Sequence, residues 1–146
     1  MEQSANNIHI FLINIMSLLG LCGFLLALYI YRKKKGKKKL VCPLRSDCDT
    51  VIHSDYSRIA GIPIEVLGMT YYAFTGIVYS ALFIFGFWSH TIGLVLLGIA
   101  SCSALFSLYL VSLQIFVIKH WCAWCMTSAL ISLLILLASY LHFSLF

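Results

Sequence analysis

Four long stretches of this chain contain no Lys, Arg, Asp or Glu: Ile8 to Tyr31, Val66 to Trp88, Thr91 to Ile118 and Trp121 to Phe146. Each is long enough to cross a hydrocarbon core of about 30 Å at about 1.5 Å of rise per residue. Four such runs in so short a chain predict an all-α membrane protein, a four-transmembrane-helix bundle. With 62% hydrophobic and 10% charged residues and a mean hydropathy of +0.97, the chain lacks the polar surface of a soluble domain. It reads as one membrane domain over residues 1–146, with helices at about 8–31, 66–88, 91–118 and 121–146 and one polar-side loop at about 32–65. A removable signal peptide is a poor account of the first run. No Lys or Arg precedes it and no small-x-small cleavage site follows before the basic cluster, so the run is expected to stay as an anchor.

The residues with chemistry in them gather where the last apolar run begins. His120-Trp121-Cys122-Ala123-Trp124-Cys125 places two thiols three residues apart at the start of a helix, flanked by aromatic residues typical of the membrane interface. Cysteines at i and i+3 share a helix face and can bridge. A helix N-terminus favours the thiolate, the form that attacks disulfides. Lys119 and His120 are expected to add positive charge in the same sense, making Cys122 the more acidic thiol and Cys125 the deeper, more apolar one.

A second pair, Cys42 and Cys48, lies in the loop as Cys42-Pro43-Leu44-Arg45-Ser46-Asp47-Cys48, five residues that a disulfide can close. Seven cations in eight residues, Arg32 to Lys39, precede it. They read as a solvated run that meets anionic headgroups of the lipid bilayer; no base-stacking platform accompanies them, so nucleic acid is not an expected partner. Gly61-Ile62-Pro63 breaks the chain before the second helix. That helix carries Tyr71, Tyr72 and Phe74, aromatics that either pack against neighbouring helices or line a pocket for a flat cofactor near the cysteines. Phe87 to His90 makes a minimal turn, so the second and third helices are antiparallel neighbours. Cys22 and Cys102, both mid-span, read as buried apolar residues. Asn14 needs a partner inside the bundle or a place near a helix end, Gln114 needs a partner, and Met1 to Asn7 is expected to fray.

Parity then places the loop after the first helix and the start of the fourth on one side of the membrane, so all four cysteines can meet. Two pairs on one side suggest a relay, a loop pair collecting electrons from a protein and a helix-anchored pair passing them to a lipid-soluble acceptor by thiol–disulfide exchange. Two other readings are open: a structural zinc site with four thiolate ligands, and a membrane scaffold in which the cysteines do nothing.

The ordered set of Cys42 with Cys48, Val51 and Ser54 beyond it, Tyr56, Arg58, Gly61-Ile62-Pro63, Gly68, Tyr71-Tyr72 and Cys122-x-x-Cys125 resembles the vitamin K epoxide reductase family in its small bacterial and archaeal form, over about residues 8–146. The resemblance implies a four-helix bundle around a quinone, menaquinone or ubiquinone. Electrons would pass from a thioredoxin-like partner to Cys42, across the loop pair, from Cys48 to Cys122 and finally to Cys125 beside the ring, with Ser54 matching a loop serine near the active site. No resident metal is implied. No thioredoxin-like domain is fused, so the partner is expected to be a separate protein. Ile64 and Ala129 stand where vertebrate members place polar residues that contact the vitamin, which favours simple quinone reduction over epoxide reduction. All ten Lys and Arg residues fall on the cysteine side. The positive-inside rule would put that side in the cytoplasm, whereas disulfide chemistry belongs outside it; an outward-facing cysteine side is the expectation, an inverted orientation the alternative.

Overall fold

The computed structural model describes all residues from Met1 to Phe146. Four helices long and apolar enough to cross a membrane make up most of it. Helix α1 runs Glu2–Lys35, a short α2 covers Cys48–Ile52 inside the loop, α3 runs Ile64–Phe85, α4 His90–Leu113 and α5 Ala123–Leu145. Two two-residue strands, β1 (Arg58–Ile59) and β2 (Ile62–Pro63), pair antiparallel just before α3. A π-helical turn, Gln114–Ile118, extends α4.

The ends of these helices follow from local chemistry. Arg32 to Lys35 form the last turn of α1, where cations complement the exposed carbonyls, and Lys and Arg are good helix formers. For the same reason α1 extends into the basic run that the sequence reading treats as loop. At its other end the helix includes the polar residues expected to fray. Gly86 closes α3 in the left-handed conformation, φ 62°, open to glycine at no steric cost. Ser89 caps α4, its Oγ accepting the Ile92 N–H at 3.3 Å. Lys119, at φ 58°, turns the chain out of the π segment and down toward α5.

Small residues bring α1 and α3 together. A Cβ at Gly20 would stand 2.8 Å from the Gly76 nitrogen, and one at Gly23 would enter the Tyr72 ring, so both positions require a bare backbone. Side-chain hydrogen bonds then tie the bundle: Ser17 to Ser80 at 2.6 Å between α1 and α3, and Tyr79 to Ser139 at 2.9 Å between α3 and α5. The core falls into three layers: Ile13, Met16 and Tyr79 at one end, Ala27, Tyr72 and Ile135 in the middle, and Ile30, Cys48, Val51, Ile52 and Cys122 at the loop end.

Cys22 and Cys102 are not buried: both are exposed, Cys102 at the edge of the cavity between the helices. In a bilayer the lipid-facing surface is as apolar as the core, so hydropathy could not tell these faces apart.

Candidate thiol–disulfide site

The loop is held against the bundle before any cysteine chemistry is considered. Lys34, the penultimate residue of α1, forms an ion pair with Glu65 in the first turn of α3, Nζ to Oε2 at 3.2 Å, with both side chains only 10% exposed. The same ammonium donates to the Ser57 hydroxyl at 3.1 Å and to the Ser57 carbonyl at 3.4 Å. On the other flank the Trp124 indole N–H donates to the Val41 carbonyl at 3.0 Å, and the ring packs on Tyr29 with centroids 5.3 Å apart. His120 Nδ1 lies 3.2 Å from Asp47 Oδ2. This last pair is half exposed and contributes little on its own. Asp47 also caps α2 by accepting from Thr50, whose hydroxyl donates at 2.8 Å and chiefly holds the carboxyl below the usual carboxylate range.

Within that frame Cys42 and Cys48 are joined as a disulfide, their Cα atoms 6.0 Å apart. Cys122 is a free thiol, and its Sγ lies within 4.8 Å of both loop sulfurs. Burial separates the three. Cys48 is 1% exposed and Cys122 fully buried, whereas Cys42 is partly open to solvent.

Cys122 is the N-cap of α5, its Sγ accepting the Cys125 N–H at 3.3 Å. The Cys125 thiol, first, and the backbone N–H groups of Cys125 and Trp124 hold the Cys122 thiol below its ordinary pKa, against burial and the Glu65 charge, which push it up. The sequence reading gave part of this effect to Lys119 and His120. In the structure His120 is engaged with Asp47, and hydrogen bonds at the helix start, rather than those cations, lower the thiol.

Cys125 opens onto a cavity of about 440 Å³ between α1, α3, α4, α5 and the loop. Its wall is mostly apolar, and Ile64 and Ala129 are part of it. Ser54 lines it too, with its hydroxyl donated to the Val51 carbonyl at 2.8 Å as a stop to α2. Tyr71 and Tyr72 both line the cavity. The Tyr72 hydroxyl is occupied by α5, at 2.7 Å from the Ser128 carbonyl, 2.9 Å from the Ser128 hydroxyl and 3.1 Å from that of Ser132. The Tyr71 hydroxyl is buried with the Ser103 and Thr75 hydroxyls beside it, and no partner meets it at close hydrogen-bond geometry. Phe74 stands apart: it is 44% exposed on the outer face of α3 and is no part of the cavity wall. The reason is helical phase: Phe74 follows the buried Tyr72 by two residues, about 200° around the helix, and so points away from the bundle.

Sequence reasoning missed Lys34, Ser57 and Glu65. Lys34 hides in a run of seven cations, although Glu65, an isolated carboxylate at the head of an apolar helix, was a signal that a buried cation partner existed. Gln114 did stand out as needing a partner, and has one: its Oε1 accepts the Cys122 N–H at 3.4 Å.

No curated protein matches this chain. The profile of the vitamin K epoxide reductase family matches residues 14–140, from the first third of α1 to near the end of α5, and so takes in all four site cysteines. The chain therefore belongs to the vitamin K epoxide reductase family, whose members are in general membrane thiol/quinone oxidoreductases.

Proposed function

We propose that this protein oxidises a separate thioredoxin-like protein and passes the electrons through Cys42 and Cys48, then Cys122 and Cys125, to a quinone, menaquinone or ubiquinone, in support of disulfide formation. The observation that carries the reading is the graded burial of three adjacent sulfurs: Cys42 reachable from water, Cys48 and Cys122 sealed side by side within 4.8 Å, and Cys125 opening onto the cavity behind them.

The cavity fits a quinone ring in size and character. It offers about 440 Å³ of mostly apolar space, with the buried Tyr71 hydroxyl in its wall as a donor for a carbonyl. A bound quinone supplies an acceptor for two electrons and two protons. The chain's own steps are exchanges. A partner thiolate attacks Cys42, breaking the Cys42–Cys48 bond and freeing Cys48. The partner's second thiol displaces Cys42 and leaves as part of the partner's new disulfide. Cys48 then attacks Cys122 in an oxidised Cys122–Cys125 pair and frees Cys125 toward the cavity. Cys42 resolves the Cys48–Cys122 bond and restores the loop disulfide. The present arrangement, loop pair oxidised and Cys122 and Cys125 as thiols, is the state that follows this last step. A lowered Cys122 pKa makes it the better leaving group when Cys42 resolves the mixed disulfide.

Apolar Ile64 and Ala129 in the wall support quinone rather than epoxide reduction. Metal analysis of the purified protein separates the relay from a zinc site, since stoichiometric zinc with four reduced thiols is incompatible with the exchanges above. Because the exchange needs an oxidising compartment for its partner, we place the cysteine side outside the cytoplasm; labelling with a membrane-impermeant maleimide on intact cells tests that, and the inverted orientation is the outcome against it. The activity test is quinone reduction in liposomes driven by a reduced thioredoxin-like protein. Turnover that survives replacement of Cys48 and Cys122 together would overturn the relay.

A further inference from the structure

Gln114 is buried to 5% exposure at the first position of the π turn that leads from α4 to the cysteine pair. Irregular turns of this kind are frequent at functional sites because they re-aim one side chain. Here the re-aimed carboxamide has two faces. Its oxygen is fixed by the Cys122 backbone N–H at 3.4 Å; an N–H can meet only the acceptor end of an amide, so the NH2 end must point the other way. That other side is the cavity, whose wall includes Gln114. The Cys122 contact is the one hydrogen bond the side chain makes.

The cavity wall thus carries polar groups with bonding capacity to spare, among them the Gln114 NH2 from the π turn and the Tyr71 hydroxyl from α3, with the Ser103 and Ser107 hydroxyls on α4. The Tyr72 hydroxyl is already bonded to Ser128 and Ser132, and the Ser54 hydroxyl to Val51. In an apolar wall an unanswered donor is costly, and a ligand that brings an acceptor removes the cost.

We propose that Gln114 is a two-sided positioning residue, its Oε1 holding the Cys122 amide while its NH2 donates to a carbonyl of the ring in the cavity, so that cavity occupancy and placement of the exchanging thiol are coupled. The inference rests on the quinone reading of the cavity. It extends that reading by naming what selects the ligand: a planar ring with carbonyl acceptors, met by Gln114 and Tyr71. Coupling of this kind is reciprocal, so a ligand that orders the carboxamide also orders the turn at Cys122.

The test uses the full chain in detergent with Cys125→Ser, which prevents turnover. Binding of 2-methyl-1,4-naphthoquinone is read from quenching of tryptophan fluorescence, and binding of 2-methylnaphthalene, the same ring system without carbonyls, from competition. The protein should prefer the quinone. Gln114→Met, close in volume, should weaken quinone binding about 5- to 10-fold, the loss of one neutral hydrogen bond, and leave 2-methylnaphthalene unchanged. Tyr71→Phe should act in the same direction without touching the turn. A second measurement needs no substitution at Gln114: hydrogen exchange at the Cys122 amide should slow when the naphthoquinone is added and not when 2-methylnaphthalene is added. Equal loss of both ligands in Gln114→Met, or an amide indifferent to the quinone, overturns the proposal. If the parent protein shows no preference for the quinone, the quinone reading of the cavity fails first and takes this inference with it.

Discussion

Replacing Glu65 by Gln tests whether the Lys34–Glu65 pair holds the loop over the cysteines. At 3.2 Å and an effective dielectric constant of about 20, the attraction is about 5 kcal/mol before the cost of removing both charges from water is set against it. Both side chains are nine-tenths buried, so solvent screens the pair weakly. Removing one member of such a pair costs about 3–5 kcal/mol, because the other charge is left behind. Lys34 would keep the Ser57 hydroxyl and carbonyl, which puts Glu65→Gln near the lower end, about 3 kcal/mol. For a chain of this length that corresponds to a fall in Tm of about 6–12 °C. Removing both charges, as in Lys34→Met with Glu65→Leu, leaves no stranded ion and should recover most of the loss. The assay is thermal unfolding in detergent followed by circular dichroism, with quinone reduction measured in parallel, since the pair anchors the segment that supplies Ser54 to the cavity wall. A double variant as unstable as Glu65→Gln, or a single variant within 2 °C of the parent, an interval well inside that about 6–12 °C fall, refutes the reasoning.

Four other outcomes are expected. Tyr72→Phe removes the hydroxyl that joins α3 to Ser128 and Ser132 on α5; side-chain hydrogen bonds between membrane helices average about 0.6 kcal/mol and reach about 1.7, so with both serines left unpartnered the loss should fall near the top of that range, read by thermal unfolding. In a variant keeping only Cys122 and Cys125, iodoacetamide labelling of Cys122 should rise with pH through a midpoint below that of an ordinary thiol, because the reactive thiolate is the favoured form; Cys125→Ala removes the largest cause and should raise that midpoint, while Lys119→Gln should leave it in place. Cys125→Ser should abolish quinone reduction and accumulate a Cys48–Cys122 bond found by peptide mapping, and Cys42→Ala should lose oxidation of a protein partner while dithiothreitol still reduces Cys122 and Cys125.

The helical bundle and the cysteine geometry were legible because each rests on a strong local signal. Charge-free runs of membrane length admit few folds, and an even number of crossings between Cys48 and Cys122 puts them on one side. What stayed hidden depends on helical phase within a uniformly apolar surface. Phe74 was expected beside Tyr71 and Tyr72 but faces outward, and Cys22 and Cys102 were expected inside. In a soluble protein polar residues would have marked the outer face; here lipid removes that contrast. The Lys34–Glu65 pair was missed for a different reason. Each residue looks solvated in its own segment, and only the packing of α1 against α3 brings them together. The amides at the start of α5 were legible as a cause of the Cys122 acidity, but the largest one, the Cys125 thiol, was not, and the charge expected from Lys119 and His120 is not among the causes.

Helix α1 has 34 residues, about 51 Å at 1.5 Å per residue, against a hydrocarbon core of about 30 Å. Such a helix is a mast that outstands the bilayer, and the loop is lashed near its top by Lys34. The height of the Cys42–Cys48 disulfide is therefore read off the mast and not off the lipid surface. Thickening or thinning the bilayer can tilt the mast, but it slides past the lashing without stretching it, so the gap between Cys48 and Cys122 is carried as cargo of the protein's own frame. A thiol relay mounted in this way keeps its spacing in membranes of different depth, whereas one resting on headgroups would open and close with them.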